Sequence, residues 1–321
     1  MKNILKERLG YNINLSAVSK IICSDFKIGK FLEAKIIAIG YEDVNFFLKT
    51  DGGNFFIKIF SNLRTLGDCE RNVDILVRLL KNKISIPKLY KSKQGYLHII
   101  KSGRAILRMC VMDFIQGDNL FTLNHNISNK NISYIAKQAA LINSLKIKPK
   151  FIYDSWAIVN FEKEFKKQGK YLSESDLKLV QPLLMEFKKI NLKKFPHCFV
   201  HGDIIKTNVI KDKNNKLWII DFSVANYYPR IQELAVLACD FLFKKNSKNL
   251  SENNLRLALK KYQKTTKLTP KELKFLPLYI GFAHSMHVLR ANYEKKINKN
   301  HSEENELYLN LGRAGLKQIG V

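Results

Sequence analysis

The segment FVHGDIIKTNVIKDKNNKLWIIDF, residues 199–222, concentrates polar side chains that could do chemistry. Two runs of β-branched and aromatic residues, separated by the turn-rich KDKNNK, predict an antiparallel hairpin over residues 209–220. Asn208 precedes the first strand and Asp221 follows the second, so the hairpin is predicted to bring the two side chains to the same end. Asp203 lies on the loop that leads into Asn208.

These oxygen atoms suit metal-assisted group transfer. Carboxylate and amide oxygens are ligands for Mg²⁺, which is usually shared with substrate phosphates. The separate carboxylate of Asp203 could accept a proton from a hydroxyl group. The alternative interpretation is an ordinary polar hairpin with an exposed loop.

The stretches HGDIIKTN and IDFS resemble the catalytic core of the aminoglycoside phosphotransferase and choline kinase family, relatives of the protein kinases. The resemblance implies that Asp203 is the catalytic base, that Asn208 is a metal ligand and that Asp221 is the main metal ligand. It also implies ATP and Mg²⁺ as cofactors. His201 is interpreted as a residue that holds the loop.

In this family, the segment after the metal-binding aspartate begins a helix whose acidic residue braces the catalytic loop. Here that segment is YYPRIQELA, residues 227–235. Arg230 and Glu233 are expected to form a structural ion pair within it.

A second predicted hairpin lies nearer the start of the chain. VNFFLKT, residues 44–50, and FFIKIF, residues 55–60, are joined by DGGN, whose glycines permit a tight turn. Lys58 shares one strand face with Phe56 and Phe60 because side chains alternate with a period of two. An ammonium group between two phenylalanines needs a partner or a ligand.

A helix is predicted next, over residues 67–82, with Asp68 as its candidate N-cap. Glu70 lies three residues before Val73 and is predicted to share its apolar face. The family resemblance implies that Lys58 contacts the α- and β-phosphates of ATP and that Glu70 orients it. A plain surface position is the alternative for Glu70.

The segment ILRMCVMDFIQGDNL, residues 106–120, predicts a strand that stops at Gly117. The segment resembles the hinge between the lobes of this family. The resemblance implies that Asp113 offers its carbonyl group and Ile115 its amide to adenine. An interior strand followed by a turn fits the same residues. No GxGxxG loop precedes the lysine strand, which favours the small-molecule branch over the protein kinases.

The resemblance implies an α+β, protein-kinase-like fold in two lobes. A small β-rich N-lobe with the nucleotide-binding sheet is predicted over residues 1–112 and a hinge over residues 113–118. A larger, mostly helical C-lobe, with the catalytic loop and the acceptor site, is predicted over residues 119–321. Within it, Thr269 and Glu272 form a capping-box pattern that predicts the start of a helix.

Cysteines and histidines offer a second possible metal chemistry. His284 and His287 are one turn apart on a predicted helix, but no third ligand is evident in the sequence, so packing or substrate contact is preferred. The cysteines have no CxxC spacing, which argues against a disulfide framework and against zinc. They are Cys23, Cys69, Cys110, Cys198 and Cys239.

The formal net charge of +27 is spread along the chain. No nucleic-acid-binding motif accompanies it, so a compositional bias is preferred to a specific nucleic-acid partner. No apolar run approaches the roughly 18 residues that a membrane span needs, and the first residues do not form a secretory signal. A cytoplasmic location is therefore expected.

The predicted function is ATP- and Mg²⁺-dependent transfer of the γ-phosphoryl group to a hydroxyl of a small molecule. A polycationic acceptor would approach against the positive field. The dense acidic group, Glu303, Glu304 and Glu306, is expected on a solvated loop. A neutral, zwitterionic or anionic acceptor, such as a homoserine-like amino alcohol or a sugar, is therefore predicted.

Three other functions stay open at this point. One is a protein Ser/Thr kinase of the same fold, and another is a non-catalytic nucleotide-binding pseudokinase. A nucleic-acid-binding protein is supported by charge alone. The sequence leaves the oligomeric state open.

Overall fold

The structure is a computed structural model that describes residues 2–37, 43–102, 105–123 and 127–320. The chain divides into two compact units. Unit 1 comprises Met1–Gly117 with Ile210–Ile220, and unit 2 comprises Asp118–Val209 with Asp221–Val321. Unit 1 is built around a β-sheet and unit 2 is mostly helical, which confirms the α+β fold in two lobes. The finer boundaries at residues 112 and 118 stay a prediction.

In its described residues, unit 1 contains two N-terminal helices, a β-sheet and one further helix. Its elements are α1 (Lys2–Leu9), α2 (Leu15–Phe26), β1 (Phe31–Ile37), β2 (Val44–Thr50), β3 (Gly53–Ile59), α3 (Leu66–Lys81), β4 (Leu89–Tyr90), β5 (His98–Ser102) and β6 (Ala105–Asp113). The sheet order is β1-β2-β3-β6-β4, with β5 also paired to β6, and the described pairings are antiparallel.

The predicted hairpin over residues 44–60 is confirmed. Thr50 lies opposite Gly53, which leaves a two-residue turn. A Cβ atom at Gly52 would lie 2.7 Å from the carbonyl oxygen of Ile28, so the close approach of the neighbouring backbone requires glycine there. The apolar side chains of β2 and β3 alternate into a core that α1 and α2 cover.

The elements after β6 belong mainly to unit 2. They are β7 (Gly117–Asn119), α4 (Asn129–Ser144), α5 (Phe161–Gln168), α6 (Glu174–Lys188), β8 (His197–Val200), β9 (Val209–Asp212), β10 (Leu217–Ile219), β11 (Asn226–Pro229), α7 (Ile231–Cys239), α8 (Lys248–Tyr262), α9 (Pro270–Lys296) and α10 (Glu303–Ile319). Strands β9 and β10 form the predicted hairpin, most of which groups with unit 1, and β8 pairs with β11.

Helix α9 lies at the centre of unit 2, where it packs against α5, α6, α7 and α10. It begins with the predicted capping box: Thr269 accepts a hydrogen bond from the backbone N–H of Glu272, and the Glu272 carboxylate accepts one from that of Thr269. Gly312 and Gly315 let α10 approach α9 closely, since a Cβ atom at Gly315 would overlap the ring of His284.

The expected solvated loop with three glutamates is partly wrong. The loop ends at Ser302, which caps α10, and all three carboxylates lie in the first turn of that helix. Acidic side chains are favoured there because they face the positive end of the helix dipole. Glu306 pairs with Lys295 at 2.5 Å, and Glu304 accepts a hydrogen bond from the Tyr308 hydroxyl at 2.8 Å. Within the described ranges, the structure has no helix long and apolar enough to span a membrane.

Candidate active site

The loop between β8 and β9 brings two of the predicted site residues into direct contact. The Asn208 side-chain amide donates to Asp203 Oδ2 at 2.7 Å and to the Asp203 carbonyl oxygen at 3.1 Å. Asn208 ends a short 3₁₀ turn that begins at Lys206. Because the amide nitrogen of Asn208 faces Asp203, Oδ1 of Asn208 is the atom left for a cation.

Asp221, the third predicted residue, follows the β10 strand in an unusual backbone conformation. Its φ angle of 60° lies in the left-handed region, which residues other than glycine adopt infrequently. The side chain is exposed, and its Oδ1 accepts a hydrogen bond from the N–H of Ser223 at 3.2 Å. An exposed carboxylate of this kind can bind a metal ion shared with a substrate.

The carboxylates of this loop influence one another. Burial raises the pKa of Asp203 well above its usual value, and the neighbouring carboxylates of Asp154 and Asp221 raise it further. Asp240 acts in the same direction, whereas the hydrogen bond from Asn208 lowers the pKa. Four carboxylates thus create a locally negative field in a chain of net charge +27. The oxygen atoms of Asn208 and Asp221 are of the type that Mg²⁺ prefers, and their role as its ligands stays a prediction.

A buried glutamate on α7 holds the start of this loop. Glu233 is fully buried and accepts hydrogen bonds from the backbone N–H groups of His201 and Gly202, at 2.6 and 3.2 Å, and from the Asn143 side chain at 3.1 Å. Burial raises the pKa of Glu233 to about 7, although these hydrogen bonds oppose the rise. The acidic residue therefore braces the loop through backbone groups.

The expected ion pair between Arg230 and Glu233 is wrong. The Arg230 guanidinium binds both carboxylate oxygens of Glu272 at 2.6 Å. Glu272 begins α9, where its carboxylate also completes the helix cap. The Glu233 carboxylate instead accepts hydrogen bonds from the loop backbone.

Two further hydrogen bonds fix the middle of the loop. Asp240 Oδ1 accepts the backbone N–H of Lys206 at 2.8 Å. His201 Nδ1 accepts the backbone N–H of Asp203 at 3.1 Å, and its buried ring lies 4.2 Å from that of Phe222. These contacts agree with the interpretation of His201 as a residue that holds the loop.

Lys58 lies in unit 1 and is nearly buried on β3, with 9% of its surface exposed. Its ammonium nitrogen lies 3.4 Å from Oδ2 of Asp43. The same carboxylate accepts hydrogen bonds from the Arg64 guanidinium at 2.8 Å and from the N–H of Ser61 at 3.0 Å. Sequence reasoning missed Asp43 because it lies just before a strand, outside any recognisable motif.

The expected position of Glu70 on the buried face of its helix is wrong. Glu70 is exposed, four residues before the exposed Asp74, whereas Cys69 and Val73 face the core. No ion pair of Glu70 occurs in the described part of the chain, and its role beside Lys58 stays a prediction. The helix also begins earlier than expected, because Thr65 is the N-cap and Asp68 completes a capping box three residues later.

The two residues predicted to contact adenine lie in the same unit as Lys58: Asp113 ends β6, and Ile115 follows it by two residues. The N–H of Asp113 donates to the carbonyl oxygen of Lys88 at 2.9 Å, and its carboxylate accepts the Tyr90 hydroxyl at 2.7 Å. Ile115 is half-buried, and within the described ranges its N–H donates no backbone hydrogen bond. Their contacts with adenine stay predictions.

Comparison with known proteins identifies the class to which this fold and site belong. The sequence model of the Phosphotransferase enzyme family (APH) matches residues 33–268. The chain therefore belongs to that family, and it is a kinase-like phosphotransferase of the kind that acts on small molecules.

Among curated proteins, the chain is similar to two homoserine kinases. It is 22% identical to that of Zymomonas mobilis subsp. mobilis, over 82% of each chain. It is 20% identical to that of Methylobacillus flagellatus over 67% of this chain, and it spans about two thirds (66%) of that protein.

Among solved structures, similar folds occur in several small-molecule kinases. The amicoumacin kinase hAmiN, in complex with AMP-PNP, Ca²⁺ and Ami, aligns with a TM-score of 0.69 at 15% identity, over 99% of this chain and 96% of that one. A microcompartment-associated aminopropanol kinase aligns with a TM-score of 0.68 at 11% identity, over 94% of each chain. The spectinomycin phosphotransferase in complex with ADP and spectinomycin has a TM-score of 0.65 at 15% identity, over 96% of this chain and all of that one.

Proposed function

We propose that this protein transfers the γ-phosphoryl group of ATP to a hydroxyl group of a small molecule, with Mg²⁺ held by Asn208 and Asp221. The observation that carries the proposal is the contact between Asp203 and Asn208, with Asp221 close enough to raise the pKa of Asp203. A base, an amide oxygen and a second carboxylate are the parts that phosphoryl transfer to an alcohol needs. Similarity to homoserine kinases supports the same reaction.

Asp203 would orient the acceptor hydroxyl and take its proton as the oxygen attacks phosphorus. Burial and the neighbouring carboxylates raise the pKa of Asp203, which makes its carboxylate a stronger base for this step. The hydrogen bond from Asn208 keeps the carboxylate in one orientation. Mg²⁺, when bound, neutralises charge on the phosphate oxygens. Most of the catalysis then comes from positioning and charge neutralisation.

The nucleotide-binding residues of the proposal lie in unit 1. The ammonium of Lys58 would bind the α- and β-phosphates, with Asp43 or Glu70 as the carboxylate that orients it. The contact at 3.4 Å favours Asp43. The Asp113 carbonyl group and the Ile115 amide would pair with adenine.

A zwitterionic amino alcohol of the homoserine type is the acceptor that we favour. The net charge of +27 disfavours polycations such as aminoglycosides, whereas a zwitterion adds no net charge. The curated relatives are homoserine kinases, which supports this choice over a sugar.

The test is a screen of purified protein with ATP and Mg²⁺ that follows ADP release with homoserine, 1-amino-2-propanol, choline, kanamycin, several sugars and a mixed protein substrate. We expect kcat/KM for homoserine to exceed that for choline and kanamycin at least tenfold. Asp203→Asn should lower kcat by about 10²- to 10⁴-fold, because that is the usual contribution of a general base. Its affinity for MgATP should stay nearly unchanged.

Each of the other outcomes would contradict a different part of the proposal. A cationic acceptor that is better than homoserine by tenfold contradicts the charge argument alone. Phosphorylation of the protein substrate alone indicates a protein kinase. MgATP binding in calorimetry without turnover of any acceptor indicates a pseudokinase. An unchanged kcat in the Asp203→Asn variant removes that residue from the mechanism.

A further inference from the structure

Three side chains of metal-binding type meet in the core of unit 2, outside the phosphotransfer site. Cys239 ends α7, and His284 and His287 lie on α9. One possible ligand atom from each lies within 4.8 Å of the other two, and Sγ of Cys239 is 3.9 Å from Nε2 of His287. All three residues are buried.

The sequence supplies only part of this arrangement. Residues one turn apart share a helix face, so the two histidines alone form an incomplete site. The third ligand comes from a different helix, because α7 packs against α9. No local spacing links Cys239 to the histidines, and the absence of CxxC therefore does not exclude a metal site here.

The buried histidines also carry polar atoms that the protein does not satisfy. Nδ1 of His284 and Nδ1 of His287 lack hydrogen-bond partners within the described residues. An unsatisfied buried polar atom costs about 1–3 kcal/mol, so each one requires an explanation. A neutral imidazole has one lone pair: the unpartnered Nδ1 of His284 can supply it, and in His287 it would lie on Nε2, the nitrogen nearer the Cys239 sulfur.

We propose that Cys239, His284 and His287 bind one zinc-like transition-metal ion. Thiolate sulfur and imidazole nitrogen suit Zn²⁺ better than Mg²⁺, which prefers oxygen. Tetrahedral bonds of about 2.3 Å to sulfur and 2.0–2.1 Å to nitrogen require a sulfur–nitrogen distance of about 3.6 Å. The observed 3.9 Å between sulfur and Nε2 of His287 needs only a small adjustment, whereas the pairs that involve His284, which lie within 4.8 Å, would have to close further on binding. On binding, the Cys239 S–H bond breaks, its proton leaves to solvent and sulfur bonds to the metal.

Such an ion would hold α7 and α9 together behind the catalytic loop. Cys239 directly precedes Asp240, the carboxylate that accepts the N–H of Lys206. The ring of His287 lies 5.2 Å from that of Tyr308, whose hydroxyl is 3.3 Å from that of Thr207 in the same loop. The role is structural and does not depend on the proposed phosphotransfer.

The test measures metal binding directly. The full-length protein is titrated with CoCl₂ and then with ZnCl₂, in the presence of excess MgCl₂ so that the oxygen site is saturated. We expect one Co²⁺ per chain with a thiolate-to-cobalt charge-transfer absorption, which Zn²⁺ abolishes by displacement. We also expect Zn²⁺ to raise the Tm of the protein.

Matched variants test whether Cys239, His284 and His287, and not other side chains, bind the metal. Cys239→Ser should abolish the charge-transfer band. Both Cys239→Ser and His287→Gln should weaken Zn²⁺ binding by more than about a hundredfold, since even the loss of a group that only hydrogen-bonds a metal ligand changes affinity about 10- to 100-fold. Cys198→Ser and the exposed His301→Gln should bind as the parent does, and Asp221→Asn should too, which separates this site from the Mg²⁺ site.

The absence of the charge-transfer band in the unmodified protein would overturn the proposal, whether or not any variant folds. Equal Zn²⁺ affinity in Cys239→Ser and the parent would also overturn it, because the three residues would then only pack. Loss of stoichiometric binding in His301→Gln would indicate adventitious surface binding.

Discussion

Substitution of Glu233 by Gln tests whether the loop that carries Asp203 depends on one buried carboxylate. The carboxylate accepts the N–H groups of His201 and Gly202, the two residues before Asp203. Gln has the same size, but its NH₂ group would face an N–H donor at one of these positions. Above pH 7, where this carboxylate is ionised, loss of a hydrogen bond to it costs about 1.5–3 kcal/mol. A displacement of about 1 Å at a catalytic group can lower the rate about 10²-fold, so we expect kcat to fall roughly 10- to 100-fold.

The Glu233→Gln variant also tests how the free energy of unfolding depends on pH. Burial raises the pKa of Glu233 from 4.5 to about 7, so the folded protein holds this proton more tightly than the unfolded chain. The stability that this provides is complete below pH 4.5 and is lost as the pH rises to about 7. At 1.36 kcal/mol for each pKa unit, the loss is about 3 kcal/mol. Glu233→Gln has no such proton, so its free energy of unfolding should lack this decline.

Urea unfolding of both proteins across this pH window, with kcat measured at each pH, tests the reasoning. Glu272→Gln is the control, because it removes a buried carboxylate of the same unit that does not contact the loop. Burial alone would raise the pKa of Glu272, but hydrogen bonds from Arg230 and Thr269 hold it below its usual value. Its stability contribution is therefore lost as the pH falls, the opposite sign. An unchanged kcat in Glu233→Gln, or a stability difference from the parent that is independent of pH, would refute the argument.

Three further predictions follow from individual contacts. Asp221→Ala should abolish Mg²⁺-dependent ATP binding in calorimetry, and Asn208→Ala should weaken it less because a neutral amide contributes a smaller field than a carboxylate. Asp43→Asn should raise the KM for ATP about tenfold, which corresponds to about 1.4 kcal/mol. Substitution of the exposed Glu70 by Gln should leave this KM within about twofold of the parent value. A larger effect of Glu70→Gln than of Asp43→Asn would indicate that Glu70 is the partner of Lys58. Gly315→Ala should lower the free energy of unfolding by about 1–3 kcal/mol in urea, because its Cβ atom would overlap the His284 ring.

The parts of the fold that depend on local pattern were predictable from the sequence. The alternation of apolar residues around Lys58 and the glycines after Thr50 predict the hairpin, and Thr269 with Glu272 predicts the start of α9. These signals act over a few residues, so neighbours in sequence are sufficient to read them. The start of α3 was missed because Thr65 and Asp68 form a capping box in which the aspartate occupies the third position.

Contacts between distant segments were not predictable in this way. Glu233 was expected to pair with Arg230 because the two are close in sequence, yet each has a better partner elsewhere: the loop backbone for Glu233 and Glu272 for the arginine. Asp43 is a similar case, since its carboxylate lies beside Lys58 only after the sheet forms. Periodicity could not decide whether Glu70 faces the core or the solvent. A residue three positions from a buried residue can lie either at the edge of the apolar face of the helix or on its exposed face.

The net charge of the chain does not predict the local charge at the candidate site. The chain carries +27, but Asp203 lies among the carboxylates of Asp154, Asp221 and Asp240, which raise its pKa. Coulomb interactions weaken with distance and are screened by salt over about 8–10 Å, so the nearest charges decide what binds. The global excess affects the approach of a ligand, whereas the local carboxylates favour a bound cation. An MgATP complex, which is anionic overall, and a zwitterion that presents one ammonium group are compatible with both fields, whereas a polycation is favoured only by the local carboxylates.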